Sequence, residues 1–119
     1  MIEVTREARE HIRAFRAHWV AKNWLEPLVR LEAALVAALA RIEHDAYAGL
    51  LAPRPYPDLA AEGEAWIHEH RYWVAYTLTE PPKVLAVFDE TADIPRRYRQ
   101  QIEERRHAGR RLGKGGAAN

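Results

Sequence analysis

The chain has 119 residues, of which 18 are Lys or Arg, 17 are Asp or Glu and none is Cys, and 48% are hydrophobic. This composition fits one globular domain and excludes a disulfide framework, a thiolate metal site and a cysteine nucleophile. The longest strongly apolar stretch, residues 31–39, is far below the ~20 residues that span a bilayer, and the first residues lack an apolar signal core. We therefore expect a cytoplasmic protein without a membrane segment.

The formal net charge of +1 is unevenly distributed along the chain. Residues 1–95 carry 10 basic and 15 acidic side chains, whereas residues 96–119 carry 8 basic and 2 acidic ones. Such asymmetry is typical of a tail that contacts a polyanion or an acidic partner, although a solvated helix end gives the same pattern. The basic end is therefore a candidate contact region.

The first half of the chain predicts a short strand followed by two helices. A brief strand-like tripeptide precedes Thr5, which is a good N-cap for an amphipathic helix over residues 6–22. Asn23 and Glu26 have the spacing of a capping box and predict a second helix that ends near residues 47–49. Because the connection is so short, the two helices are expected to form an antiparallel hairpin.

The second half predicts strands. Prolines at alternating positions over residues 53–57 indicate a stiff extended connection, after which apolar residues alternate with period two over residues 66–70 and 72–78. Residues 83–88 are apolar throughout, except for the lysine that opens the segment, as expected of a strand that is covered on both faces or that lies centrally in a small sheet. We therefore predict a meander of three strands, in which the last two are antiparallel neighbours.

Asp93, followed two residues later by a proline, predicts the start of a final helix from Arg96 to about His107. Residues 1–108 thus form one predicted domain, and residues 109–119 a flexible basic tail. The order of elements predicts an α+β fold, in which an N-terminal strand and an antiparallel helical hairpin pack on a small, mostly antiparallel sheet with a C-terminal helix.

This order of elements, together with the segment RYWVAYTLTEPPKVLAVFDETADIPRRY from Arg71 to Tyr98, resembles the ParE/RelE superfamily of bacterial type II toxin-antitoxin toxins. The resemblance rests on a strand pattern that ends in Tyr76, on the apolar strand after it, and on Asp93 with the Pro-Arg-Arg element at residues 95–97. The opening VTREAREHI is also similar to the start of these toxins. The superfamily has a ParE-like and a RelE-like branch, and the chain resembles the ParE-like branch more.

A ParE-like toxin is implied to inhibit growth by binding a target such as DNA gyrase, and to be neutralised in a hetero-complex with a cognate antitoxin. Free strand edges of the sheet would invite strand addition by that antitoxin. No metal and no cofactor is implied. The residues expected to contact the target are Asp93, Arg96, Arg97 and Tyr98, and the antitoxin groove is expected beside Trp66 and Tyr76.

The RelE-like branch implies an alternative, a ribosome-dependent mRNA endoribonuclease. Its candidate catalytic set is Arg71, Arg96, Arg97 and Tyr98, with the arginines as phosphate clamps and the phenol for proton transfer. The carboxylates of the segment between the last strand and the final helix, residues 89–93, oppose this chemistry because they repel a scissile phosphate. An inactive relative that serves as a structural subunit is a third interpretation.

The histidines give no independent site. His68 and His70 fall on the same side of a predicted strand, but no third ligand accompanies them, so a metal site is not predicted. His11 and His18 are expected to be solvent-exposed partners of the charged surface of the first helix.

Overall fold

The computed structural model describes the backbone of residues 1–118 and the side chains of residues 1–107. The elements follow in the order β1 (Glu3–Val4), α1 (Arg6–Ala21), α2 (Leu25–His44), β2 (Glu64–Glu69), β3 (Tyr72–Thr77), β4 (Lys83–Asp89) and α3 (Ile94–Ala118). The predicted α+β class is confirmed. The basic tail predicted for residues 109–119 lies outside the residues whose side chains are described. Within the described chain, no helix combines the length and apolar character needed to cross a membrane.

The four strands form one sheet in the order β1-β4-β3-β2. β2, β3 and β4 are antiparallel to one another, while β1 runs parallel to the first two residues of β4. β4 therefore lies inside the sheet, and five consecutive side chains of this strand are buried. The interior position predicted for residues 83–88 is thus confirmed. A strand that is buried on both faces has no position for a polar side chain, which explains the apolar sequence of this segment.

Each face of the sheet has its own core. The alternating side chains of β3 point Tyr72, Val74 and Tyr76 toward the helical hairpin, where they pack with buried residues of α2. Trp73 and Ala75 point to the opposite face, where α3 and the proline-rich connection cover them. The sheet is thus the middle of three layers, and α3 covers the face that the hairpin leaves open.

The turn between α1 and α2 differs from the predicted capping box. Asn23 adopts a left-handed conformation with φ of 55°, so it ends α1 and does not cap α2. The N–H of Asn23 donates to the Val20 carbonyl and the N–H of Trp24 donates to the Trp19 carbonyl, both at 3.0 Å, which is the Schellman pattern. The rings of Trp19 and Trp24 stack 5.8 Å apart across this turn.

The predicted pairing of His68 and His70 on one strand face is wrong. β2 ends at Glu69, and His70 lies in the turn to β3 with φ of 55°. Among residues 1–107, no three His, Asp or Glu side chains converge as a metal ion would require.

Gly49 is held against the phenol of Tyr76, whose hydroxyl donates to the Ala46 carbonyl at 2.6 Å. A Cβ on Gly49 would overlap the Tyr76 hydroxyl and lie 3.0 Å from the Trp66 carbonyl oxygen. We expect Gly49→Ala to lower the free energy of unfolding by about 1–3 kcal/mol, because the phenol must shift within a packed core. Urea denaturation measures this change.

Tyr76→Phe provides the control for this prediction. It removes the overlapping hydroxyl and one hydrogen bond, which costs about 0.5–1.5 kcal/mol by itself. Gly49→Ala should therefore cost less in the Tyr76→Phe background than in the wild type. Equal costs in the two backgrounds would contradict the role given to the hydroxyl.

Candidate functional site

A cleft of about 770 Å³ opens between α1 and α3, above the last residues of β4. We call it the α1–α3 cleft. It brings together two of the predicted target-binding residues, Arg96 and Arg97, with polar side chains of α1. Its charged and polar lining residues are Glu7, Glu10, His11, Asp89, Thr91, Arg96, Arg97, Gln100, Gln101 and Glu104.

The floor of the cleft is the free edge of β4. β1 pairs only with the first two residues of β4, so the backbone groups that follow on this edge have no neighbouring strand. Side chains satisfy them instead: the Val87 N–H donates to His11 Nδ1 at 3.2 Å, and Gln101 Nε2 donates to the Leu85 carbonyl at 2.9 Å. One residue of α1 and one of α3 thus bond the backbone groups that a neighbouring strand would otherwise pair with.

His11 is half-buried in this floor, which corrects the expectation of a solvent-exposed side chain. Its ring lies 5.1 Å from the ring of Phe88, and burial lowers its pKa, with a smaller contribution from Arg97 and an opposing one from Glu10. A nitrogen that accepts a hydrogen bond carries no proton, so the neutral ring holds its proton on Nε2. His11 is therefore a neutral hydrogen-bond donor beside the arginines.

Arg96 and Arg97 are exposed in the first turn of α3. Asp93 caps this helix, accepting from the Arg96 N–H at 3.3 Å and pairing with the Arg96 guanidinium at 3.3 Å. Within residues 1–107, Arg97 has no carboxylate within ion-pair distance. A cation in the first turn is opposed by the helix dipole, so the charge of Arg97 does not stabilise the helix, and its exposed guanidinium can contact a ligand.

Tyr98 does not belong to this site, which corrects its predicted place among the contact residues. Its side chain is buried on the other side of α3, 5.1 Å from the ring of Trp66, and its hydroxyl donates to Glu64 at 2.6 Å. Burial and the Glu64 carboxylate raise the pKa of the phenol far above its usual value. Tyr98 can neither touch a ligand in the cleft nor transfer a proton near neutral pH.

The predicted nuclease set is only partly assembled, because Tyr98 is buried away from the cleft, whereas Arg71 is bound to Asp89 in the cleft lining. Arg71 lies in the turn between β2 and β3 and pairs with Asp89 at 2.6 Å. Glu90 is close to His68, 3.0 Å from Nε2. The carboxylates that follow β4 thus have partners of their own, and their repulsion of a phosphate is weaker than the sequence suggests.

The predicted antitoxin groove is not formed by Trp66 and Tyr76. Both side chains are fully buried, and they belong to different cores on opposite faces of the sheet. A cleft of about 670 Å³ does lie beside Trp66 at the edge of β2, with Arg41 and Arg54 among its lining residues. Leu50 pairs with the backbone of Trp66 through two bonds of 2.7 Å, so the middle of this edge is closed to an added strand.

No protein-family model matches the chain, and no curated protein is significantly similar to it. The chemistry of the α1–α3 cleft follows from its own groups. His11 Nε2 and the guanidinium of Arg97 are donors, whereas the Oε1 of Gln101, which has no partner among the described residues, is buried and out of a ligand's reach. The lining carries two guanidinium groups and four carboxylates, so the cleft can bind a surface of mixed charge, and the hydroxyl of Thr91 donates to the Asp89 carboxylate at 2.9 Å.

The neutral state of His11 predicts a pH effect on stability. Its folded-state pKa lies below the unfolded value of 6.5, so its contribution to stability is complete above pH 6.5 and declines as the pH falls below that value. We expect the wild type to lose free energy of unfolding relative to His11→Gln between pH 7 and 5, by less than about 1.4 kcal/mol per pH unit.

Glutamine can accept the Val87 N–H without titrating, so this variant is a matched control. The neighbouring charged groups, Glu7, Glu10, Asp89 and Arg97, are present in both proteins and cancel in the difference. Urea denaturation at each pH gives the two free energies. A difference that does not change with pH would contradict the neutral assignment of His11.

Proposed function

We propose that the chain is the toxin component of a type II toxin-antitoxin system of the ParE/RelE superfamily, and that it inhibits bacterial growth by binding a target protein such as DNA gyrase. Support comes from the resemblance of the segment from Arg71 to Tyr98 and from the α+β architecture. The proposed site of action is the cytoplasm, where a cognate antitoxin would neutralise the toxin in a hetero-complex.

The observation that carries this proposal is the pair of exposed arginines that line the α1–α3 cleft, together with the burial of Tyr98, the phenol that the nuclease alternative needs, on the other side of α3. His11 accepts the Val87 N–H on Nδ1, so this nitrogen cannot act as a base, and Nε2 is left as a donor. Arg96 and Arg97 can pair with carboxylates of a partner, and the carboxylates that line the same cleft can pair with its cations, so the site can recognise a surface of mixed charge. Binding and blocking a target needs nothing more.

The alternative, a ribosome-dependent mRNA endoribonuclease, has less support. It requires Arg71, Arg96, Arg97 and Tyr98 on one concave surface, whereas Tyr98 is buried and Arg71 is paired with Asp89. His11, Arg96 and Arg97 could hold a phosphate, but Glu7, Glu10 and Glu104, which line the same cleft, would repel it.

We expect expression of the chain alone to arrest growth, and Arg96→Ala/Arg97→Ala to reduce this toxicity at least tenfold. The purified wild-type protein should inhibit gyrase supercoiling and accumulate cleaved DNA, and the double variant should not. Both side chains are exposed, so the melting temperature should change little. Co-expression of the neighbouring small open reading frame should restore growth.

Arg105→Ala/Arg106→Ala is the matched control, because these arginines lie on the exposed surface of the same helix and do not line the cleft. It should retain full toxicity. No effect on gyrase at micromolar excess would remove gyrase as the target, and unaffected growth would favour the inactive-relative interpretation.

Tyr98→Phe distinguishes binding from nuclease chemistry. Loss of the hydroxyl leaves the Glu64 carboxylate without its 2.6 Å donor, and we expect a loss of about 1–3 kcal/mol in the free energy of unfolding. Toxicity per folded molecule should be unchanged. If the wild type cuts ribosome-bound message in a translation extract and the folded variant does not, the nuclease interpretation replaces the one proposed here.

A further inference from the structure

A second groove, of about 650 Å³, lies between α1 and α2 on the side of α1 that faces away from α3. We call it the α1–α2 groove. Its floor is aliphatic and reaches down to the sheet, with side chains from both helices and from β3 and β4. The floor residues are Ile12, Leu35, Leu39, Val74, Val84 and Val87. A lining of this kind favours the apolar face of another element.

One rim of this groove is a row of arginines on α1. Arg9, Arg13 and Arg16 are spaced by four and three residues, so they point to the same side of the helix. Arg16 is bound to Glu32 across the groove, with an Nη2 to Oε2 distance of 2.9 Å. In the part of the chain with described side chains, Arg9 and Arg13 have no carboxylate within ion-pair distance, so two cations remain available to a ligand.

The opposite rim is apolar apart from Glu32, whose carboxylate is already bound to Arg16. α2 has no polar side chain from residue 33 to residue 40, and Val36, which lines the groove, is 69% exposed. A helix that is apolar on more than the face it buries in its own core is typical of one that packs against a further element. The groove thus combines an apolar floor, an apolar rim and a cationic rim.

We infer that the α1–α2 groove binds an amphipathic helix of a partner protein, whose apolar face enters the groove and whose Asp or Glu side chains contact Arg9 and Arg13. Both walls of the groove are helices whose backbone groups are already paired, so it offers no edge for an added strand. The charge of the arginine rim selects against this chain's own basic end and against α1 of a second copy, which has four Arg and two Glu.

The identification of the partner as the antitoxin rests on the proposed function. The binding site itself is inferred from the groove alone. The test therefore uses purified full-length protein and a designed probe. The probe is a fluorescent helical peptide with Leu at positions i, i+3, i+4 and i+7 and Glu along one flank, and the control peptide has Lys in place of each Glu.

We expect the Glu peptide to bind with an affinity that falls as salt is raised, and the Lys peptide to bind at least tenfold more weakly. Arg9→Glu/Arg13→Glu and Val36→Glu should each weaken the Glu peptide at least tenfold. Val29→Glu is the matched control, because Val29 is an exposed apolar residue of the same helix, 58% accessible, that does not line the groove. All variants lie on the surface, and their folding is checked by circular dichroism.

Failure of both peptides to bind, equal binding of the two, or an equal effect of Val29→Glu and Val36→Glu would each overturn this inference. So would concentration-dependent dimerisation that Val36→Glu abolishes, since a second copy would then be the occupant. Peptide binding without toxicity would support the inference about the groove and refute the proposed function. Toxicity without peptide binding would refute the inference about the groove and leave the proposed function standing.

Discussion

A strand that is buried on both faces must have all its backbone N–H and C=O groups satisfied without water, and β4 meets this demand in an unusual way. β3 pairs with one side of β4 from Val84 to Asp89, with a bulge at Leu85, while β1 pairs only with the first two residues of the other side. His11 and Gln101 bond two further backbone groups on that side from two different helices. These two side-chain bonds tie α1 and α3 to the same strand edge, on either side of the cleft.

Helix α1 separates two recesses of opposite character. Its side toward α3 carries Glu7, Glu10 and the neutral His11, whereas its side toward α2 carries Arg9, Arg13 and Arg16. The same helix also buries Ala8 and Trp19 against the sheet. A single amphipathic helix thus supplies one wall to each recess, and the two walls differ in charge because successive residues of a helix point about 100° apart.

Much of the fold was predictable, because its causes are local. Alternation located the strands, the apolar run of residues 83–88 indicated the interior strand, and Asp93 marked the start of the last helix. The face of the sheet on which each candidate site residue lies was harder to predict, because it depends on strand register and burial. Trp66 and Tyr76 fall on opposite faces because Trp66 pairs with Ala75, a register that the sequence alone does not fix.

The burial of Tyr98 and of His11, in contrast, could have been predicted from the spacing of apolar residues. Ile94, Tyr98 and Ile102 recur every four residues, and this spacing places Tyr98 on the inner face of α3 with its hydroxyl inside the protein. His11 follows Ala8 by three residues and so lies near the apolar face of α1. No local pattern predicts the partner of His11, because this partner is a backbone group on the unpaired edge of β4, 76 residues away in the chain.

The parallel pairing of β1 with β4 joins residues 3 and 4 to residues 83 and 84. Between them lie both hairpin helices and two strands, so this contact closes a loop of most of the chain, at a cost in chain entropy. The α1–α3 cleft has a further requirement, since one wall is absent until the residues from Arg96 onward have been synthesised. A nascent chain therefore carries its helical hairpin well before it has its candidate target-binding surface, and a partner that recognised the hairpin would meet the protein first.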